Sequence, residues 1–156
     1  MRHIIAIHLQ NEAGALTRVA GLFSSRGYNI ESLSVAATND PIVSRLTLVT
    51  TGNDAVIAQI IHQLGKLVDV VQVEDMTQGL HHERELLLLK LRVPASQLAH
   101  LSTAISTAGG RVLADTLDHF VVELTSSEAL VTRFVTEAAQ FGEVLEVVRS
   151  GSLGIS

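Results

Sequence analysis

The first strand pattern runs from His3 to Gln10, where Ile5, Ile7 and Leu9 alternate with Ile4, Ala6 and His8. Leu16, Val19, Ala20 and Phe23 then fall at helical spacing, and "RGYN" (Arg26 to Asn29) stops that helix with a glycine. Period two returns at Leu33, Val35 and Ala37. "TNDP", Thr38 to Pro41, predicts a turn, and Leu46 and Leu48 carry the answering strand of a hairpin. "TGND" leads into a second helix with Val56, Ile57, Ile60, Ile61 and Leu64 on its apolar face. Leu67 to Val73 is predicted as the closing strand. The order βαββαβ within about 75 residues is the ferredoxin-like arrangement.

The pattern then repeats. A polar connection, "EDMTQGLHHERE" (Glu74 to Glu85), precedes a strand on which Leu87, Leu89, Leu91 and Val93 alternate. Pro94, Ala95 and Ser96 open a helix with Leu98, Leu101, Ile105 and Ala108 on one face, and Gly109 with Gly110 ends it. Arg111 to Asp115 and His119 to Leu124 predict a second hairpin pair. "TSSE" (Thr125 to Glu128) has capping-box spacing before a helix carrying Leu130, Val131, Phe134 and Ala138, and Glu143 to Arg149 is the last strand. The expectation is an α+β chain of two tandem ferredoxin-like βαββαβ units, residues 1–77 and 78–156. In each unit the helices cover one sheet face, so the other face predicts oligomerisation through sheets.

Composition narrows the function. The chain has 156 residues, of which 47% are apolar and only 3% aromatic, so its core is aliphatic. Sixteen acidic against 11 basic residues give a net charge of −5. That balance argues against nucleic acid or an anionic membrane as partner, because phosphate binding needs clustered Lys and Arg. With no cysteine, disulfides, thiol catalysis and cysteine-ligated metals are excluded. The opening "MRHIIAIHLQNE" is too short and too punctuated by polar residues for a signal peptide, and no apolar run approaches the roughly 20 residues of a membrane span. A cytoplasmic location is expected.

Catalytic constellations are thin. The seven histidines are scattered, and the one cluster, "HHERE" from His81 to Glu85, reads as a solvated linker rather than a metal site. No nucleophile elbow, P-loop or dinucleotide fingerprint occurs. "GSLG" (Gly151 to Gly154) reads as a flexible end rather than a phosphate cradle. Glu143 and Glu146 read as surface charge. The segment Leu16 to Leu33 has a superficial helix-turn-helix look, with "SSRGYN" as its turn. Its second element alternates as a strand, however, and carries Glu31 without a Lys or Arg to read DNA.

The most informative stretch is "NEAGALTRVAGLFSSRGYNIESL", Asn11 to Leu33. A loop entering a helix offers free N–H groups and the positive end of the helix dipole, which suit a carboxylate. Gly14 permits close approach to the backbone, Asn11 and Asn29 each offer a carbonyl and an amide, and Ala15, Leu16 and Ile30 offer apolar surface. That set suits a small aliphatic amino acid. The plainer alternative makes Asn11 a helix cap, with Gly27 and Asn29 shaping a turn.

"NEAGALTRVAGLFSSRGYNIESLSV", "DPIVSRLT" (Asp40 to Thr47) and "KLVDVVQV" (Lys66 to Val73) together resemble the small regulatory subunits of acetohydroxyacid synthase (acetolactate synthase), and the likeness continues through "EREL" and "VVRSG". The resemblance implies that the first unit is an ACT domain and that the chain is a non-catalytic homodimer. It implies a large catalytic subunit as partner, bearing thiamine diphosphate, Mg and FAD, with no cofactor on this chain. It further implies activation of that subunit and feedback inhibition by a branched-chain amino acid, valine first, in branched-chain amino acid biosynthesis. The implied effector site lies between two copies, with Asn11, Gly14, Ala15 and Leu16 from one and Asn29 and Ile30 from the other. Pro94 to Gln97 occupy the equivalent loop of the second unit, so the resemblance assigns no effector site there. An ACT protein regulating another enzyme or a transcription factor, and a small enzyme on the ferredoxin-like fold, are the rival readings.

Overall fold

The computed structural model describes residues 1–156, which divide into two units. The first comprises Met1–His82 together with Ser152–Ser156, and the second is Glu83–Gly151. The division differs from the expected 1–77 and 78–156 at both ends, because the last five residues pack with the first unit.

In the first unit, β1 (Arg2–Gln10), α1 (Ala15–Ser24), β2 (Ile30–Ala37), β3 (Val43–Thr51), α2 (Asp54–Leu64) and β4 (Val70–Asp75) follow in the predicted order. The sheet runs β2-β3-β1-β4, with every neighbouring pair antiparallel. Ile5, Ile7 and Leu9 of β1 with Leu46 and Leu48 of β3 meet Ala15, Val19 and Phe23 of α1 and Ile57, Ile60 and Leu64 of α2. Spacing of three and four residues on the helices and two on the strands places these side chains in one layer. Each fully buried large aliphatic there contributes about 1.5–3 kcal/mol. Ile4, Ala6, Val49 and Met76 form a second buried cluster from the alternate positions of β1, so the face away from the helices is not bare within one chain.

The closing strand begins later than expected. Residues Leu67 to Asp69 form turns, with Leu67 N–H donating to Leu64 O at 3.1 Å and Val70 N–H to Leu67 O at 3.1 Å, and the ladder starts at Val70. Tyr28 explains one glycine: a Cβ at Gly52 would lie 2.0 Å from the Tyr28 ring, so the chain must be bare there.

The second unit contains β5 (His82–Arg92, its first residue in the first unit), a 3-10 turn (Ala95–Gln97), α3 (Leu98–Ala108), β6 (Arg111–Asp115), β7 (Phe120–Ser126), α4 (Glu128–Ala138) and β8 (Glu143–Arg149). Its sheet order, β6-β7-β5-β8, matches that of the first unit. Leu87, Leu89, Leu91, Val122 and Leu124 pack on Leu101, Ile105, Val131, Phe134 and Ala138. Two local expectations fail here. Most of "HHERE" is strand rather than solvated linker, and Glu85 is buried, with Arg149 donating to both its oxygens at 3.1 and 2.6 Å. Strand β7 runs on to Ser126, so Ser127 becomes the N-cap and makes no side-chain cap bond. Glu128 is then the first helical residue rather than the third, too early to close a capping box.

The tail is also ordered differently from the expectation of a flexible end. Gly151, Ser152 and Gly154 are buried, and Leu153–Ile155 form a short strand, β9.

Candidate functional site

The loop after β1 is shaped by its backbone. Asn11 N–H donates to Ile42 O at 2.8 Å, and its side-chain amide donates to Pro41 O at 3.2 Å, tying the loop to the β2–β3 turn. Asn11 therefore does not cap α1. The N-cap is Gly14, at φ 88°, a left-handed conformation that a Cβ would strain, and it makes no side-chain cap bond. Leu16 and Thr17 carry N–H groups of the kind that an α-helix leaves without an intrahelical acceptor. Asn11, Gly14 and Leu16 are exposed, whereas the Ala15 methyl is 1% exposed and belongs to the core. Of the predicted apolar lining at this end, Leu16 alone is available.

The other half lies beyond the far end of α1. Asn29 and Ile30 line an open groove of about 470 Å³ with Ala20, Ser24, Gly27 and Tyr28. Asn29 is exposed, and its backbone carbonyl accepts from Thr50 Oγ1 at 2.6 Å, which anchors the start of the strand without using its side chain. Ten residues of α1 separate the two halves, about 15 Å at 1.5 Å per residue. One chain thus does not bring the two groups of predicted residues together.

Arg18 and Asp69 were missed as a pair in the sequence. Arg18 lies one turn into α1, and its Nε donates to Oδ2 of Asp69, a carboxylate with 6% of its side chain exposed. That hydrogen bond is the main reason the guanidinium is held above its ordinary pKa. Arg18 Nη1 would stand 3.0 Å from a Cβ built on Gly14, so positive charge lies against the loop. The available signal was Asp69 itself, a lone acid inside the apolar run "KLVDVV", where a buried charge needs a partner.

Comparison with known proteins agrees with this architecture unit by unit. Residues 5–72 match the model of the acetohydroxyacid synthase small-subunit-like ACT domain, and residues 84–156 match that of the small subunit of acetolactate synthase. The chain is 41% identical over its whole length to the acetolactate synthase isozyme 3 small subunit of Escherichia coli, covering 96% of that protein. The chain belongs to the acetolactate synthase small-subunit family.

Within that family it is also 38% identical to the small subunit of Haemophilus influenzae, again covering 96% of the relative. The crystal structure of the acetolactate synthase small subunit from Thermotoga maritima superposes with a TM-score of 0.88 at 29% identity, covering 99% of this chain and 96% of that one. The small-subunit fold is therefore shared across both units. No helix is long and apolar enough to cross a membrane.

Proposed function

We propose that this chain is the non-catalytic regulatory subunit of an acetolactate synthase. It binds a large catalytic subunit that carries thiamine diphosphate, Mg and FAD, raises that subunit's activity, and makes it sensitive to a branched-chain amino acid, valine foremost. The observation that carries the reading is the full-length family match joined to the open, glycine-capped loop of the first unit. The exposed N–H groups at the start of α1 suit the effector's carboxylate. The Asn29 amide suits its polar end, and Leu16 and Ile30 suit a short aliphatic side chain.

The two half-sites on one chain, about 15 Å apart along α1, support a site completed by a second copy. Effector binding across two copies then favours one arrangement of the dimer, and the large subunit responds to that arrangement. The amino acid acts only through its different affinity for the two arrangements.

Calorimetric titration of the purified chain with valine, leucine and isoleucine tests the binding. Assay of the large subunit with and without the chain tests the regulation. Binding of at least one of the three, with activation that the same amino acid reverses, is the expected result. A chain that binds none of them and leaves the large subunit's rate unchanged overturns the reading.

A further inference from the structure

The far end of the Arg18 side chain meets the glycine that opens α1. A Cβ built on Gly14 would stand 3.0 Å from Nη1 and 3.6 Å from both Cζ and Nη2. Gly14 is therefore bare for a second reason besides its φ of 88°, because any side chain there would crowd the guanidinium.

The near end of the guanidinium is fixed. Nε donates to Asp69 Oδ2, and the Asp69 side chain is 6% exposed where that of Arg18 is 47% exposed. Asp69 is itself held, since its backbone carbonyl accepts from Gln10 N–H at 2.7 Å. The residue just before β4 thus ties the end of β1 through its backbone and α1 through its carboxylate.

A guanidinium carries five N–H donors, and Arg18 uses one of them within the chain. Nη1 and Nη2 make no hydrogen bond with protein, and exposed Glu12 acts on the group only through space. A free surface arginine loses side-chain entropy whenever it binds. Here a buried carboxylate already sets the guanidinium in place, so less is lost and the two Nη atoms form a ready fork for a second carboxylate. Arg18 and Asp69 are neutral in sum. The attraction that remains is short-range and directional, through N–H donors to an ionised acceptor.

We propose that Arg18 reads the effector's carboxylate and that Asp69 is the positioning residue that aims it. The proposal rests on the reading of Asn11, Gly14 and Leu16 as part of the effector site. It makes a free carboxylate a requirement of that site, so an amino acid amide is disfavoured whatever its side chain.

Calorimetric titration of the full chain with valine and with valinamide separates this role from a structural one. Both ligands share an ammonium and a side chain, and both meet the same folded protein. The parent is expected to prefer valine by about tenfold or more. Arg18→Met is expected to bind valine about tenfold or more weakly and valinamide as the parent does. Asp69→Asn, which keeps Arg18 but removes its ionic anchor, is expected to reduce the preference less. Arg18→Met leaves a buried carboxylate without its partner, so the double variant Arg18→Met with Asp69→Asn provides a form free of that charge. Its preference is expected to match that of Arg18→Met. A parental preference kept in either form lacking Arg18, a parent that binds both ligands equally, or an equal loss of both ligands on substitution overturns the role of Arg18 and leaves the effector site intact. A parent chain that binds no valine, leucine or isoleucine overturns the effector reading and this role together.

Discussion

The two units share one topology but differ in the loop that precedes their first helix. In the first unit, Asn11 is drawn aside to Pro41 and Ile42, and Gly14 opens the helix in a left-handed conformation with Glu12, Ala13 and Leu16 exposed around it. In the second, Pro94 has no N–H, and the 3-10 turn Ala95–Gln97 consumes a donor, Gln97 N–H bonding Pro94 O at 2.9 Å. The buried acids differ in the same sense. Asp69 holds Arg18 against the loop of the first unit, whereas Glu85 holds Arg149 within the sheet of the second. The same fold thus leaves the helix start exposed with Arg18 beside it in one unit and tightens it into a 3-10 turn in the other. A shared βαββαβ frame does not fix the helix entry, so a function is argued from the residues there and not from the frame.

The largest effect expected from breaking this contrast is structural. Arg149→Met leaves Glu85 buried without its partner and should destabilise the second unit by about 2–4 kcal/mol, allowing for solvent at Arg149. Thermal unfolding checks this, and effector affinity should be unchanged, since the pair lies outside the proposed site. Next comes Asn29→Ala. Its side chain holds no strand in place, so stability should stay within about 0.5 kcal/mol. The lost amide should weaken valine binding by roughly 1.5–3 kcal/mol, about ten- to hundredfold, as read by calorimetry.

Gly14→Ala should follow, with a conformational cost of about 1–2 kcal/mol at a left-handed position, visible as a lowered melting temperature. Gly14→Asp carries the same backbone cost, partly offset by the 0.3–1 kcal/mol that an acid gains near a helix N-terminus. It should also repel the effector's carboxylate. Stability and binding therefore both change there, which makes Asn29→Ala the cleaner probe. Smallest is Pro94→Ala, which restores an N–H to the closed loop. It should shift stability by no more than about 1 kcal/mol and add no binding site in titration.

Much of the frame was legible because amphipathic elements report their own periods. β1, both helices of the first unit and the order of the elements from β1 to β8, apart from the 3-10 turn, follow from alternation and helical spacing. What escaped notice depends on partners distant in sequence. Asp69 looked like part of a strand until its buried carboxylate was seen against Arg18. Glu85 sat in a polar run, and only the return of Arg149 on β8 draws it into the sheet. The tail's Gly154 reads as flexibility because the surface that receives it, Met76 and Ile4, comes from segments far away in sequence. The candidate site was legible as a set of residue types, but the burial of Ala15 and the left-handed Gly14 required coordinates.

A site built from two half-sites makes a demand that no single-chain site makes. Gly14→Asp damages the loop half and Asn29→Ala the strand half, so each variant alone spoils every site in its own dimer. An equal mixture, allowed to exchange subunits, forms mixed dimers in which one site carries both defects and the other carries neither. Calorimetric titration of that mixture with valine should recover parental affinity at about a quarter of the parental number of sites, since half of the dimers are mixed and each has one intact site. A mixture that binds no better than the two variants measured apart would contradict a site shared between two copies of this chain.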